Sequence, residues 1–422
     1  MTAPDRRRPG SRTPGRTRGS EAAPGRRRPA ETRGRRGKTA RGVALEALVA
    51  VGDGGRANIV VPRLLATERL SERDRNLVTE LVYGTCRMQR ACDWVSERFV
   101  RGPVDPQVRA AIRMGVYQLI WTRIPAHAAV AATVEEVHGP GRSVVNAVLR
   151  RSSELLDKGP IVWPDPPTEL SYPDWVVARL AKDLGSVEAR EALETMNLAA
   201  AATFRHDGYV QDPASQMVAA HVAELVKQNS PDPDGARILD LCAAPGGKAT
   251  ALADAVSGMV VAADISSPRA SLIAANAARL GTQDVLTVVA DGTRPAWRDR
   301  AFDLVLIDAP CSGLGVLRRR PDARWRVKPG DVNRLAELQR ELLAAAVPLV
   351  KPGGILAYSV CTLTFDETGS IDRWFATHQP GFHPLPPPAS PWRPAGRGAL
   401  LLPQAEGTDG MFLLALRRTG DR

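Results

Sequence analysis

The chain has 422 residues, 44% of them apolar, enough to bury one full core and, at ordinary domain sizes, two or three. No stretch approaches the roughly 18–20 uninterrupted apolar residues that a membrane helix needs, and the basic amino terminus lacks the apolar segment of a signal peptide, so a cytoplasmic protein with no membrane partner is expected. The five cysteines, Cys86, Cys92, Cys242, Cys311 and Cys361, form no CxxC pair and the six histidines are scattered, which speaks against a disulfide framework and a metal site.

The net charge of +11 is local. Residues 1–38 hold thirteen Arg and Lys against three Asp and Glu, so the rest of the chain is close to neutral. Rich in Arg, Pro and Gly and almost free of large apolar residues, this segment cannot offset its ordering entropy by burial and is expected to be a disordered basic tail. It can tether a phosphate backbone with little sequence preference, or remain a solvated tail without effect on activity.

Residues 39–157 read as consecutive helices, with Ala44, Leu45, Leu48 and Val51 on one apolar stripe and Leu77, Leu81 and Val82 on the next. Five prolines, Pro160, Pro164, Pro166, Pro167 and Pro173, then mark a linker, which with a short helical connector extends over residues 158–210. Helices are expected there at 175–184 and 187–196. From 211 to 422 strands alternate with helices, the pattern of a doubly wound α/β sheet. Strands are expected at 237–241, 259–264, 285–289, 302–308 and 354–360, and helices at 248–256, 268–280, 331–347 and 366–375. A proline-rich run, 380–394, precedes a last strand at 411–416.

The segment ILDLCAAPGGKA places a small-residue loop, Cys242, Ala243, Ala244, Pro245, Gly246, Gly247 and Lys248, after a buried strand and before a helix. Backbone amides and the positive end of the helix can receive a polar or anionic ligand there. Asp264 ends the next strand, where a carboxylate can accept from both hydroxyls of a ribose, and Asp291 ends the third. Either acid can equally be a helix cap or a turn former. Together with the loop, and with no P-loop or kinase pattern competing, they favour an adenosyl cofactor.

FDLVLIDAPCSG puts Asp308 and Cys311 at the carboxyl end of the fourth strand, and ILAYSVCT puts Cys361 at that of the fifth. In a doubly wound sheet these ends border the ligand crevice and the two strands are neighbours. A lone cysteine is ordinarily a small buried hydrophobe; two at adjacent strand ends suit nucleophilic catalysis. Carbon 5 of cytosine is a poor nucleophile, and adding a thiolate to carbon 6 turns the base into an enamine-like donor. The addition needs N3 protonated or strongly hydrogen-bonded, and a proton must later leave carbon 5. Methyltransferases of exocyclic amines carry DPPY or NPPY at this strand end, where this chain has DAPC. One thiolate is required, and the chemistry alone does not tell the two cysteines apart.

DAPC, CAAPGGK and the second cysteine resemble the RNA cytosine-5 methyltransferases. SERDRNLVTELVYGTCR, MGVYQLIWTRIPAHAAVAATVEE and VVNAVLRR resemble the NusB-like RNA-binding domain at the front of the RsmB family of ribosomal RNA methyltransferases, also called Sun or Fmu. The resemblance implies an all-α NusB-like domain over 39–157 followed by a Rossmann-like methyltransferase domain, with S-adenosylmethionine as cofactor and RNA, 16S ribosomal RNA foremost, as partner. It implies that Cys361 is the nucleophile and that Cys311 assists release of the covalent product. It further implies that residues 242–248 line the cofactor loop, that Asp264 and Asp291 hold ribose and adenine, and that Lys248 reaches the target pocket. Asp308 is then expected between cofactor and base, with its acid form favoured by burial.

GYVQDPASQ and GTDGMF look like the family's flanking motifs. Arg318, Arg319, Arg320, Arg324 and Arg326 can hold phosphates near a flipped base or form a solvated loop. The chain departs from the family pattern in three places. A small mixed domain is reduced to about a dozen residues, 198–210; Val360 precedes the cysteine where a Thr is usual; and Thr368 stands where an Asn is usual. The reduction leaves a transfer RNA substrate, or an RNA-binding assembly or antitermination factor with a vestigial methyltransferase fold, as alternatives. A monomer is expected.

Overall fold

The computed structural model describes residues 38–420. Of the expected basic tail only Lys38 falls among them, its ammonium 2.7 Å from Glu46 and 3.1 Å from Glu68; the rest lies outside the described residues.

Between residues 40 and 156 the chain forms the helices Ala40–Gly52, Ala57–Thr67, Glu72–Arg87, Gln89–Ser96, Pro106–Trp121, Ala126–Glu135 and Gly141–Leu156. Their starts are set locally. Thr39, Ser71 and Asp105 each accept an otherwise unpaired first-turn amide, and Pro106 takes the first helical position, where it has no amide bond to lose. Ala44, Leu45, Leu48, Leu81 and Val82 are buried with Ala111, Met114 and Leu149, while Val51 and Leu77 stand at the margin of this core. Gly84 lets the Tyr117 ring lie against the helix backbone, where a Cβ would overlap it.

A short helix, Pro166–Glu169, sits inside the proline-rich stretch, with its two prolines in the first turn where they are tolerated. Helices Asp174–Leu184 and Ser186–Thr195 follow as expected. They cover a sheet: Tyr172, Val176, Leu180, Leu193 and Met196 share one buried cluster with Val305, Ile307 and Leu356.

That sheet contains β1 (Arg237–Asp240), β2 (Met259–Asp264), β3 (Val285–Val289), β4 (Phe302–Asp308), β5 (Val350–Val360), β6 (Phe382–Pro384), β7 (Arg393–Ala395), β8 (Gly398–Leu401) and β9 (Met411–Arg418). The order is β3-β2-β1-β4-β5-β9-β8-β7, parallel from β3 to β5 and antiparallel beyond, with β6 also paired to β9. Strand order reverses between β1 and β4, which opens a ligand crevice at the carboxyl ends. Alternate residues serve opposite faces. Leu239, Val305, Ile307 and Tyr358 meet one helical layer, and Ile238, Leu304, Leu306 and Ala357 meet helices Pro213–Asn229 and Gly247–Ala255 on the other. With both faces covered, the strands read as unbroken apolar runs.

Several elements differ from expectation, among them the short strand β8. β5 begins at Val350, before an irregularity in its pairing with β4. The proline-rich run holds β6 and β7, short strands in which proline is tolerated because edge amides need no ladder partner. Helix Pro213–Asn229 was not expected, although Asp212 accepting from the Ala214 amide, Pro213 at the first position and Ala214, Val218, Val222, Leu225 and Val226 at helical spacing signal it.

The segment after β4 joins sheet and helical block. Arg324 is fully buried, its guanidinium carbon 3.8 Å from the Tyr172 ring centroid and its Nη1 2.9–3.1 Å from Arg87 O, Ser171 O and Asn197 Oδ1. Burial pushes its pKa down to about 10. Beside it, Trp325 Nε1 donates to Cys86 O at 2.6 Å and Arg87 donates to Arg318 O at 3.3 Å. Arg324→Ala leaves buried acceptors unpaired and a cavity beside Tyr172, so a loss of about 3 kcal/mol is expected in urea unfolding of the full chain. Arg324→Lys should not restore it, because a point charge lacks the stacked plane; a loss below about 0.5 kcal/mol for the alanine variant, the range of ordinary surface substitutions, would contradict this account.

Candidate active site

The carboxyl ends of the parallel strands carry Asp240, Asp264, Asp291 and Asp308, with residues 242–248 folded over the end of β1. The loop is held by Ala243 N donating to Ala263 O at 2.8 Å and Gly246 N donating to Ala243 O at 2.7 Å. Gly246 has φ +102°, and a Cβ there would meet Ile273 Cα at 3.2 Å, so a side chain is excluded twice over. Helix Gly247–Ala255 starts here and turns its free amides to the crevice. The reduced connector closes as a small hairpin, bridged between Phe204 and Val210, and reaches this loop: Arg205 Nη1 donates to Gly247 O at 2.6 Å.

Lys248 Nζ lies 2.7 Å from Asp308 Oδ2. Burial pushes the ammonium towards its neutral form, but the charge and hydrogen bond of Asp308 outweigh burial and raise its pKa. The expectation of a buried acid at Asp308 is not met, since its side chain is a third exposed and ion-paired. The buried acid is Asp240 instead. Fully enclosed at the end of β1, it has neither oxygen in a hydrogen bond of good geometry among the described residues; burial, then Asp308, outweighs the Lys248 charge and the nearby Cys242 amide and pushes it up to about 8. An Asp ending the apolar run ILD was the available signal, because Asp is depleted in strands. Cys242, close by, is a neutral thiol pushed up by burial and then by Asp240.

Asp264 accepts from Ser266 N at 2.9 Å and pairs with Arg269 at 3.1 Å. Asp291 accepts from the hydroxyl and the amide of Thr293, which lower its pKa. Both acids thus shape local turns while keeping their places on the rim. Four carboxyl groups against the Lys248 ammonium and the half-exposed Arg269 suit a ligand that carries positive charge.

Beyond β4 and β5 the sulfurs of Cys311 and Cys361 lie 3.3 Å apart. The hydrogen bond from Cys311 holds Cys361 below the ordinary thiol range, against burial and Asp308 and with help from Arg320. The same bond, with burial, drives Cys311 well above it. Of the two, Cys361 is the one favoured as thiolate and Cys311 the one favoured as thiol.

The two flanking motifs meet behind this pair. Arg319 contacts Asp409 and lies 3.6 Å from Asp212, and Asp212 accepts from Asp409 N at 3.1 Å. Gly410 N donates to Gly315 O at 2.8 Å and Gly315 N donates to Cys361 O at 3.0 Å, so the glycines bring three backbones together at the cysteine. The arginine run after β4 is not a phosphate surface as a whole. Arg318 bonds Gly407 O, Arg319 serves the two aspartates, Arg324 is buried and Arg326 lies 2.6 Å from Asp322. Arg320 stands exposed beside the thiols.

Residues 229–417 match the family described as 16S rRNA methyltransferase RsmB/F, and residues 38–154 match the NusB family. A ribosomal RNA small subunit methyltransferase B from Enterobacter sp. (strain 638) is 32% identical, over 89% of this chain and 98% of its own. The chain belongs to the RsmB/F family. It is an S-adenosylmethionine-dependent RNA (cytosine-5) methyltransferase, with an all-α NusB-like region ahead of a Rossmann-like sheet. A Mycobacterium tuberculosis (strain H37Rv) protein named as a methyltransferase is 36% identical, over 90% of this chain and 96% of its own. The crystal structure of PH0851 shares the fold, with a TM-score of 0.71 at 23% identity over 90% of this chain and 99% of that one. Among the described residues no helix is long and apolar enough to cross a membrane.

The residues of this RsmB/F-family chain fit its cofactor. The sulfonium and ammonium of S-adenosylmethionine are cationic, and the orphaned Asp240 carboxyl lies in a crevice floored by acids. Asp240 binds a proton in the apo fold up to about pH 8, while an unfolded Asp releases it near pH 4. Between these values the native state holds more protons than the unfolded one, so the stability of the apo protein falls as pH rises and levels off above the folded pKa. Asp240→Asn should remove this fall. Its advantage in melting temperature over wild type should grow from about pH 5 to about pH 8 while cofactor affinity drops about tenfold; a difference in melting temperature that does not vary with pH would refute the assignment.

Proposed function

We propose that the chain methylates carbon 5 of a cytosine in 16S ribosomal RNA through a covalent adduct between Cys361 and carbon 6 of the base. The observation that carries the mechanism is the 3.3 Å thiol pair at the ends of adjacent parallel strands, in which the thiolate is favoured on Cys361. The names of the ribosomal RNA small subunit methyltransferases B among its relatives support the choice of RNA.

The Cys361 thiolate adds to carbon 6, and electron density moves into the ring towards carbon 5. At the other side of the pocket the Lys248 ammonium offers donors to N3 or O2 of the base, where charge collects, and Asp308 is an acceptor for the exocyclic amine. S-adenosylmethionine supplies the electrophilic methyl group. The amides of Cys242, Ala243, Ala244, Gly246, Gly247 and Lys248, with Pro245 shaping the turn, line its place, and Asp264 and Asp291 take ribose and adenine. Solvent water then takes the carbon 5 proton, the electron pair of that bond re-forms the double bond between carbons 5 and 6, and the sulfur–carbon bond breaks with its electron pair returning to Cys361. Cys311, 3.3 Å from that sulfur, stabilises the departing thiolate by donating to it and so assists release.

RNA carrying 5-fluorocytosine traps the adduct because carbon 5 has no proton to lose. Cys361→Ala should reduce trapping by about 10^3-fold or more, while Cys311→Ala should retain or accumulate the adduct on ordinary RNA. Adduct formation requires the thiolate, so it should rise with pH and level off once Cys361 is ionised, below the ordinary thiol range. Removing the Cys311 hydrogen bond should move that rise to higher pH. Trapping that survives Cys361→Ala and is lost in Cys311→Ala would reverse the roles. Methyl label in transfer RNA but not in 16S RNA would overturn the choice of substrate.

A further inference from the structure

Glu367 begins no strand and touches neither thiol, yet it is completely buried where the loops carrying the two cysteines meet. Its Oε1 accepts from Ser312 N at 2.8 Å and from Gln339 Nε2 at 3.1 Å. Its Oε2 accepts from the hydroxyls of Ser312 at 2.5 Å, Thr362 at 3.1 Å and Thr364 at 2.8 Å. Ser312 follows Cys311 and Thr362 follows Cys361, and their hydroxyls lie 2.8 Å apart. Gln339 Nε2 also donates to Pro310 O at 2.9 Å, so the residues on both sides of Cys311 are tied to the same hub. Tyr358, on β5, lies 2.8 Å from Glu367 O and 2.9 Å from Gln339 Oε1.

Every hydrogen bond this carboxyl accepts comes from a neutral hydroxyl or amide and none from a cation, and its charge helps to keep the neighbouring Cys311 a thiol. A buried carboxyl is costly in such surroundings unless its acceptor capacity is filled, and a partly filled network is worse than an apolar core. Anchoring the fold alone would need no such arrangement at the one place where two loops must hold sulfur against sulfur.

We propose that Glu367 is a positioning residue of the methyl transfer, fixing the Cys311 and Cys361 loops through Ser312 and Thr362 so that the two thiols stay within hydrogen-bond distance. Its effect on the reaction rests on the proposed role of the thiol pair; its effect on their spacing does not. In Glu367→Gln the amide oxygen can keep the two N–H donors while the hydroxyls turn to accept from its nitrogen, so this variant loosens the hub, whereas Glu367→Ala removes every acceptor and opens the loops. Without the hub the Cys311 hydrogen bond to Cys361 lengthens, and both the ionisation of Cys361 and the release step suffer.

The test uses the full chain and phenylarsine oxide, which forms two arsenic–sulfur bonds with a close thiol pair, its oxygen leaving as water with the proton the pair shares and one from solvent. Cys361→Ala sets the background for a single thiol. Glu367→Ala should bind the arsenical at least about tenfold more weakly than wild type and lose about 10^2-fold in kcat, with Glu367→Gln between the two and calorimetric affinity for S-adenosylmethionine within about threefold in both. The rise of adduct formation with pH should also move upward, which a purely structural role would not cause. Should these variants fail to fold, Thr362→Val with Ser312→Ala removes the hydroxyl donors from both loops and should give the same changes at smaller size. Wild-type arsenical affinity and kcat in the folded variants would overturn the proposal. Absence of a trapped adduct in the wild type would sink the thiol chemistry instead, and the arsenical titration would still decide the spacing.

Discussion

The parallel pairing of β4 with β5 is the constraint on which the catalytic end depends. Asp308 lies opposite Ser359 in the ladder, so the chain leaves the sheet at the same level on both strands and each delivers a cysteine within a few residues. A slip of either strand would exchange the side chains of two close-packed cores and force both to repack. Cores on the two sides thereby fix the distance between two sulfurs that lie fifty residues apart in sequence. Gly315 and Gly410 then let the loop after β4 and the start of β9 close behind Cys361, where side chains would hold the backbones apart.

Charge in this crevice is placed against the interest of stability. Asp240 has only the Cys242 amide and the Lys248 charge against its burial, while Lys248 is enclosed with Asp308. Away from the crevice, Arg324 is buried without a carboxylate between the segment after β4 and the NusB-like helices. The segment after β4 is thus gripped from the NusB-like helical region through hydrogen bonds to Arg87 and Cys86 rather than through a loose tether.

Much of the fold is legible in the sequence because it rests on local pattern. The runs ILD, MVVAAD, FDLVLID and ILAYSV are apolar for the same reason that they are strands, covered on both faces. The loop 242–248 and the two cysteines are legible through their motifs, and the connectivity places them at one end of the sheet. Partners are another matter. Nothing local to DAPC says that Asp308 pairs with Lys248 and remains partly exposed, or that Asp240 is the enclosed acid. The arginines after β4 look alike along the chain, and only tertiary structure separates Arg324, stacked on Tyr172, from Arg320 at the thiols. Helix Pro213–Asn229 shows the opposite failure, since its cap and spacing were present and only the expectation of strands after residue 208 hid them.

The central claim is that the cysteine pair shares one proton, held by Cys311, and presents Cys361 as the thiolate. Alkylation of the intact apo protein by iodoacetamide across a pH series, with each cysteine followed separately by peptide mass spectrometry, measures this directly. Cys361 should react first, with a midpoint below that of an ordinary thiol, and Cys311 should stay unreactive until the pH is far higher. Equal midpoints, or Cys311 reacting first, would contradict the account.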